Sequence, residues 1–303
     1  MPFQRPVPGC TGGLWPKYWS CRDDCNRQPS VGNSARNIPP VDQFIATGDT
    51  ALHSNSLGTG RSVLFLHAGV ADSRMWNGQF AEKPGFQLIR FDMRGYGRSK
   101  LGSHPFTNHD DALFVLDHLG VERAIMVGCS IGANTALQLA AAAPERVEGL
   151  VLVGADAPGF DPGVEYQSPE WPEAIAAFGA GDLKRVAELD AEMWLAGVDR
   201  SVAELDPDAV ELFVEMDLIA LESESARDEL DTTEPLEHLP QVDLPVRVIV
   251  GDRDIPQLRA AADHLARELS DSPAVVLADT AHLPSMDRPA AFNAVLDSFL
   301  GGI

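Results

Sequence analysis

The chain reads as an α/β protein: a mainly parallel central sheet with helices on both faces, interrupted late by a helical insertion. Three observations predict this. Short apolar runs of strand length recur along the chain, helix-length stretches fall between them, and the alternation stops for one long acidic stretch before resuming. Strands buried on both faces read as continuous apolar runs. Strands alternating with helices imply parallel pairing through helical crossovers.

The elements follow in order. Residues 41–46 and 50–54 are expected to pair as a hairpin about Gly48-Asp49. Buried strands are expected at 62–67, 87–92, 124–128, 149–154, 246–251 and 274–277. Helices are expected at 108–119, 131–143, 256–269 and 289–300, the first stopping on Gly120 as helices commonly stop on glycine. Between about 155 and 240 no strong strand run occurs, and 172–178, 181–196 and 206–221 read as helices. The expected organisation is therefore a core of residues 41–154 and 241–303 with a helical cap, 155–240, inserted. Residues 1–40 are rich in Pro, Gly, Ser, Asn and Arg without periodicity, the composition of a disordered extension. Their aromatic cluster, Trp15, Tyr18 and Trp19, offers a partner-binding segment as the alternative.

Bulk properties narrow the function. Of 303 residues 45% are hydrophobic, enough for a large core. The 23 basic against 45 acidic residues leave a net charge of −22. That field repels polyanions, so neither nucleic acid nor an anionic membrane surface is an expected partner. No apolar run approaches the roughly 18 residues of a membrane span, and the N-terminus lacks an apolar signal region; a cytoplasmic location is expected. Cys10, Cys21 and Cys25 lack paired spacing and a nearby histidine, so neither a metal site nor a disulfide framework is expected. No H-E-x-x-H, Walker-type loop or strand-following G-x-G-x-x-G is present, so no metal or nucleotide cofactor is expected. The sequence carries no signal for oligomeric state.

The chemistry concentrates at Gly128-Cys129-Ser130-Ile131-Gly132, which fits G-x-S-x-G between a strand and a helix. Such a sharp turn strains the central residue and crowds its neighbours, so residues two before and two after must be small. It lifts the serine Oγ to a helix N-terminus, where N–H groups and dipole favour an oxyanion. The bland alternative is an N-capping serine in an ordinary turn. A serine nucleophile needs a base. His282, after the last strand, is the candidate; His118 and His264 sit in helices and look like surface positions. The acid that orients it should follow a strand: Asp254 and Asp252 after Gly251, and Asp156 after Gly154, qualify.

Two further segments carry a resemblance. His67-Ala68-Gly69 closes the first buried strand, and Phe91-Asp92-Met93-Arg94-Gly95-Tyr96-Gly97-Arg98-Ser99 closes the second. With the serine motif they resemble the α/β-hydrolase superfamily, and most the cofactor-free group of 3-oxoadipate enol-lactonases, small esterases and C–C bond hydrolases. The resemblance spans about residues 41–303. Ala68 and Ala133 stand where glycine is usual. The α/β-hydrolase fold is what the resemblance implies, with Ser130, Asp254 and His282 as catalytic triad. Gly69 and Ile131 become oxyanion N–H donors, Asp92 and Arg94 loop ties, and His67 a structural hydrogen-bonder. Trp171, Phe178, Trp194, Phe213 and Met216 of the cap either line a pocket or pack onto the core.

The expected activity is hydrolysis of an ester or lactone of a small organic substrate through an acyl-enzyme on Ser130. C–C cleavage, lyase chemistry or perhydrolysis could run on the same residues, since fold does not choose among them. A ligand receptor without turnover is the non-enzymatic rival, and it predicts tight binding with no product.

Overall fold

The computed structural model of the chain describes residues 40–164 and 166–303. The expected N-terminal extension, its aromatic cluster and Cys10, Cys21 and Cys25 lie outside the described residues. Among the described residues eight strands form one sheet: β1 (Val41–Thr47), β2 (Thr50–Gly58), β3 (Arg61–Leu66), β4 (Phe86–Phe91), β5 (Ala124–Cys129), β6 (Val147–Val153), β7 (Val246–Gly251) and β8 (Val275–Leu277). Their order is β1-β2-β4-β3-β5-β6-β7-β8. The first hairpin turns at Gly48, whose φ of 59° suits glycine. Only β1–β2 and β2–β4 run antiparallel; every other pair is parallel.

Side-chain alternation sorts the core onto two faces. Leu64, Leu66, Met126, Leu150 and Leu152 face one cluster, which takes Val115 of α1 (Asn108–His118), Leu137 of α2 (Ile131–Ala142) and Leu265 of a later helix (Pro256–Leu269). Val63, Phe65, Ile125, Val127, Val151 and Ile249 face the other, with Trp76 and with Phe292 and Leu296 of the last long helix (Pro289–Leu300). Each such side chain is fully or almost fully buried, contributing about 1.5–3 kcal/mol relative to exposure. The sheet is thereby covered on both sides, as the unbroken apolar runs require.

Topology places the site. From β3 the chain moves outward to β4, whereas β5 leads to β6, β7 and β8 on the opposite side. Connections leaving β3 and β5 diverge there, opening a crevice at the strands' carboxyl ends. Both the His67 turn and the Ser130 turn leave from that crevice.

Between β6 and β7 the chain is helical: α3 (Trp171–Ala180), α4 (Leu183–Asp190), a π-helical turn (Ala191–Ala196) and α5 (Pro207–Leu230). After these come α6 (Pro256–Leu269), the short α7 (Pro284–Asp287) and α8 (Pro289–Leu300). Local chemistry sets the insert's ends. Asp206 accepts the Asp208 N–H ahead of Pro207, and Asp182 accepts the Arg185 N–H. Gly181 ends α3 in the left-handed conformation at φ 75°. Helix α5 continues to Leu230, past residue 221 where apolar periodicity fades. Its acidic extension stays helical because it still presents buried Arg227 to the loop after β4. Among the described residues no helix is long and apolar enough to cross a membrane.

Candidate active site

Ser130 leaves the end of β5 with φ 53° and ψ −119°, a conformation that L residues seldom adopt. Its own N–H donates to Val153 O of β6 at 2.8 Å, which fixes the turn against the neighbouring strand. Crowding dictates the flanking glycines. A Cβ on Gly128 would stand 2.3 Å from Gly132 O, and one on Gly132 would stand 2.3 Å from Leu66 O. The serine makes no side-chain bond to its own helix, so it is not an ordinary N-cap.

His282 is buried, and its Nδ1 lies 3.0 Å from Asp254 Oδ2. A carboxylate only accepts, so Nδ1 carries the proton and Nε2 is left as the basic nitrogen. Asp254 is buried too, and its Oδ1 accepts the Ile255 N–H at 2.9 Å. The rival acids sit elsewhere: Asp252 accepts from the Thr280 N–H, and exposed Asp156 approaches Asn134. His53 belongs to a separate network with Asp42 and Asp92, and His264 stacks on Phe160 with ring centroids 4.2 Å apart.

The histidine loop is locked to the serine strand. Cys129 Sγ donates to His282 O at 3.3 Å. Full burial pushes that thiol up from its ordinary value, so it stays protonated and packs as an apolar group. Gly251 has no room for a side chain: a Cβ there would meet Thr280 O at 2.1 Å. Gly154, immediately after β6, was not singled out by motif. A Cβ on it would lie 2.8 Å from both Cε1 and Nδ1 of His282 and 3.2 Å from Asp254 Oδ2, and its φ is 53°. It ends an apolar run, but nothing in that run sets it apart from an ordinary strand-end glycine.

The helical insert touches this loop through its π turn. The His282 N–H donates to Trp194 O at 3.2 Å, and the indole ring lies 5.0 Å from the imidazole. Buried Arg200 gathers the carbonyls of Leu195, Ala196 and Asp279 and pairs with Asp287 at 2.6 Å. One guanidinium thus satisfies the carbonyls of an irregular helix end and ties it to the segment before His282.

On the other side of Ser130 lies the turn after β3. A Cβ added to Gly69 would come within 3.7 Å of both Ile131 Cγ2 and Tyr96 Oη, so these three residues border one spot. His67 sets this turn: its Nδ1 donates to Ala68 O at 2.8 Å, and its Nε2 accepts the Met93 N–H at 2.9 Å. Complete burial lowers its pKa, which keeps that neutral tautomer. Asp92 ties the next turn by accepting from His53, the Ser73 N–H and the Arg98 N–H. Burial alone would raise its pKa, but those bonds prevail and bring it to about 2. Arg94 holds Asp111 of α1 with two bonds, 2.7 and 2.8 Å.

Two hollows flank these residues. One, of about 510 Å³, runs from Val70 and Trp194 along Trp171, Phe178 and Leu221 of the insert. The other, of about 340 Å³, is bordered by Ile131, Thr135, Asp156 and Leu236. Phe213 and Met216 are fully buried in the core cluster and line neither. Among the described residues no group of His, Cys, Asp and Glu is placed to hold a metal ion.

Known proteins share this arrangement of elements. A family model described as "alpha/beta hydrolase fold" matches residues 61–289. A pimeloyl-[acyl-carrier protein] methyl ester esterase from Pectobacterium atrosepticum is 30% identical over 258 residues, covering 82% of this chain and 98% of its own. A 3-oxoadipate enol-lactonase from Acinetobacter baylyi is 25% identical, covering 82% of this chain and 87% of its own. The solved enol-lactonase from Burkholderia xenovorans LB400 superposes with a TM-score of 0.69 at 24% identity, covering 86% of this chain and all of that one; this last likeness speaks for fold alone.

Proposed function

The chain belongs to the alpha/beta hydrolase fold family, and from that premise we propose that it is a serine hydrolase of small esters or lactones. Hydrolase activity has the support of relatives named for esterase and lactonase reactions. The observation that carries the finer reading is the His282–Asp254 bond of 3.0 Å, with the histidine loop bonded to Cys129, the residue before a serine held at φ 53°.

In this reading Ser130 Oγ attacks the substrate carbonyl while His282 Nε2 takes its proton. Asp254 holds the Nδ1–H tautomer and stabilises the imidazolium; it takes no proton itself. The N–H groups of Gly69 and Ile131 bind the oxygen that gains charge. His282 returns the proton to the leaving group, then activates water against the acyl-enzyme. Residues 155–240 act as the cap, and the hollow from Val70 to Trp171 takes the apolar part of the substrate. With aromatic walls and no cationic side chain among its lining residues, that hollow favours neutral substrates over anionic ones.

A fluorophosphonate probe tests this reading. Mass spectrometry should find one adduct, on Ser130, absent from Ser130→Ala and reduced about a thousandfold or more in rate in His282→Ala. Folded wild-type protein that takes no adduct, or an adduct that survives Ser130→Ala, would overturn it. Ester, lactone and vinylogous diketone panels then separate acyl transfer to water from C–C cleavage.

A further inference from the structure

Among the buried polar side chains that the mechanism above does not use, Tyr96 borders the proposed site. Tyr96 is 3% exposed. Its hydroxyl has no hydrogen-bond partner among the described residues and is not sealed from solvent, and burial of the residue is the first cause of its raised pKa, about 12. A hydroxyl that bonds nothing in the protein and keeps an opening to solvent is free to bond a group that enters there. The hydroxyl lies 3.7 Å from the position of a Cβ on Gly69, the same distance as Ile131 Cγ2. It therefore borders the same spot as Gly69 and the Ile131 side chain.

The ring is held from two sides. The Arg227 guanidinium sits over its face, 4.1 Å from the centroid, and His67 meets it edge-on at 4.8 Å. Arg227 is itself fixed by donating to Ala220 O at 3.0 Å. Both supports are buried. A cation over the face draws electron density from the phenol and makes its O–H a better donor. The acid is weak enough that the proton stays on oxygen at any working pH.

We propose that the Tyr96 hydroxyl is a third oxyanion donor, hydrogen-bonding the tetrahedral oxygen beside the N–H groups of Gly69 and Ile131. The inference rests on the serine-hydrolase reading. As the Oγ–C bond forms, the carbonyl π pair moves onto oxygen and the serine proton passes to His282. Tyr96 keeps its own proton throughout and only donates a hydrogen bond. When the carbonyl re-forms, the leaving group departs with the proton from His282 and the Tyr96 bond weakens. The bond strengthens as charge develops, so it lowers the barrier rather than aiding substrate binding. Arg227 is a positioning residue on the insert, which links the cap to the charge-stabilising site.

Tyr96→Phe tests this, because it removes one oxygen and keeps the ring. Wild type and variant are compared with p-nitrophenyl butyrate, a trifluoromethyl ketone that forms a tetrahedral adduct, and thermal melts. Expected is a fall in kcat of about tenfold to a hundredfold, with KM nearly unchanged. Ketone affinity should fall by the same factor, and Tm should hold, because the hydroxyl makes no hydrogen bond within the described residues. Unchanged kcat, or a loss of kcat with ketone affinity intact and Tm lowered, would overturn the assignment and leave Tyr96 a packing residue. A wild type that neither hydrolyses the ester nor takes the fluorophosphonate label would instead overturn the hydrolase reading, and this inference with it.

Discussion

The strand ends and the helical insert hold the same kinds of residue under opposite constraints. Gly154 at the end of β6 and Gly181 at the end of α3 both have positive φ, 53° and 75°. A side chain on Gly154 would strike His282 and Asp254, whereas a side chain on Gly181 would meet nothing within 4 Å. Asp92 after β4 and Asp217 on α5 are both buried carboxyls. Three donors surround the first, and the second faces another carboxyl, Asp190. The contrast teaches where residue identity is forced. At the strand ends other segments, backbone or catalytic-site side chains, approach so closely that they fix what each position can be. On α3 of the insert Gly179 and Gly181 have open space, and the constraint returns only where the insert meets other segments, as at Gly197, whose Cβ would stand 2.4 Å from both Ala281 Cβ and Arg253 O.

The strongest way to break this comparison is Gly154→Ala. The left-handed conformation costs a β-carbon about 1–2 kcal/mol, and the new methyl would stand 2.8 Å from the imidazole. His282 must shift, and misplacement by about 1 Å costs on the order of a hundredfold in rate. The expected result is a fall in kcat of about that size with the sheet intact by circular dichroism. Retained kcat would mean that the histidine loop is looser than its contacts imply.

This difference also explains what could be read in the amino-acid sequence. Buried strands were legible because a sheet covered on both faces demands unbroken apolar runs such as Leu150–Val153. The serine turn was legible because Gly128 and Gly132 cannot be anything larger. Gly154 obeys the same rule, but the contacts that demand it come from His282 and Asp254, far along the chain, so no local pattern marks it. Tyr96 is similar: its place beside Gly69 depends on how two loops and helix α5 meet. In the insert, the π turn at Ala191–Ala196 interrupts what reads as one helix from 181 to 196. Arg200, distant from the helical pattern, makes that irregular end tolerable by binding its carbonyls.

The two buried carboxyls predict stability changes of opposite sign with pH. Asp92 is brought down to about 2 in the folded chain, despite its burial, by the bonds it accepts. Its contribution is present above the unfolded carboxyl pKa of about 4 and is lost as pH falls through the folded value. Burial first, and then repulsion from Asp190, push Asp217 far above the carboxylate range. Its contribution is present below about pH 4 and is lost as pH rises toward that raised value. Thermal melts from about pH 5 to about pH 9 should therefore show Tm falling more steeply in wild type than in Asp217→Asn. The variant should melt several degrees higher at the alkaline end, where its amide can still donate to Asp190. Parallel curves would mean that the two carboxyls do not share a proton in the folded chain.

The smallest effect, and the one that sharpens the comparison most, belongs to Gly181→Ala. The residue ends α3 at φ 75°, and its N–H is shared between Ala177 O and Phe178 O. Alanine keeps that N–H and meets no atom within 4 Å, so only the backbone conformation opposes it. The expected cost is about 1 kcal/mol, lessened by the reduced freedom of the unfolded chain. Activity on p-nitrophenyl butyrate should stay within experimental error, because α3 lies beside the hollow without touching Ser130, His282 or Asp254. The informative quantity is the ratio of activity lost to stability lost in the two glycine variants. A high ratio at Gly154 and a ratio near zero at Gly181 would separate a glycine kept for the chemistry from a glycine kept for a helix end. Equal ratios would mean that the insert's fold reaches the reacting groups more directly than the Trp194–His282 contact alone provides.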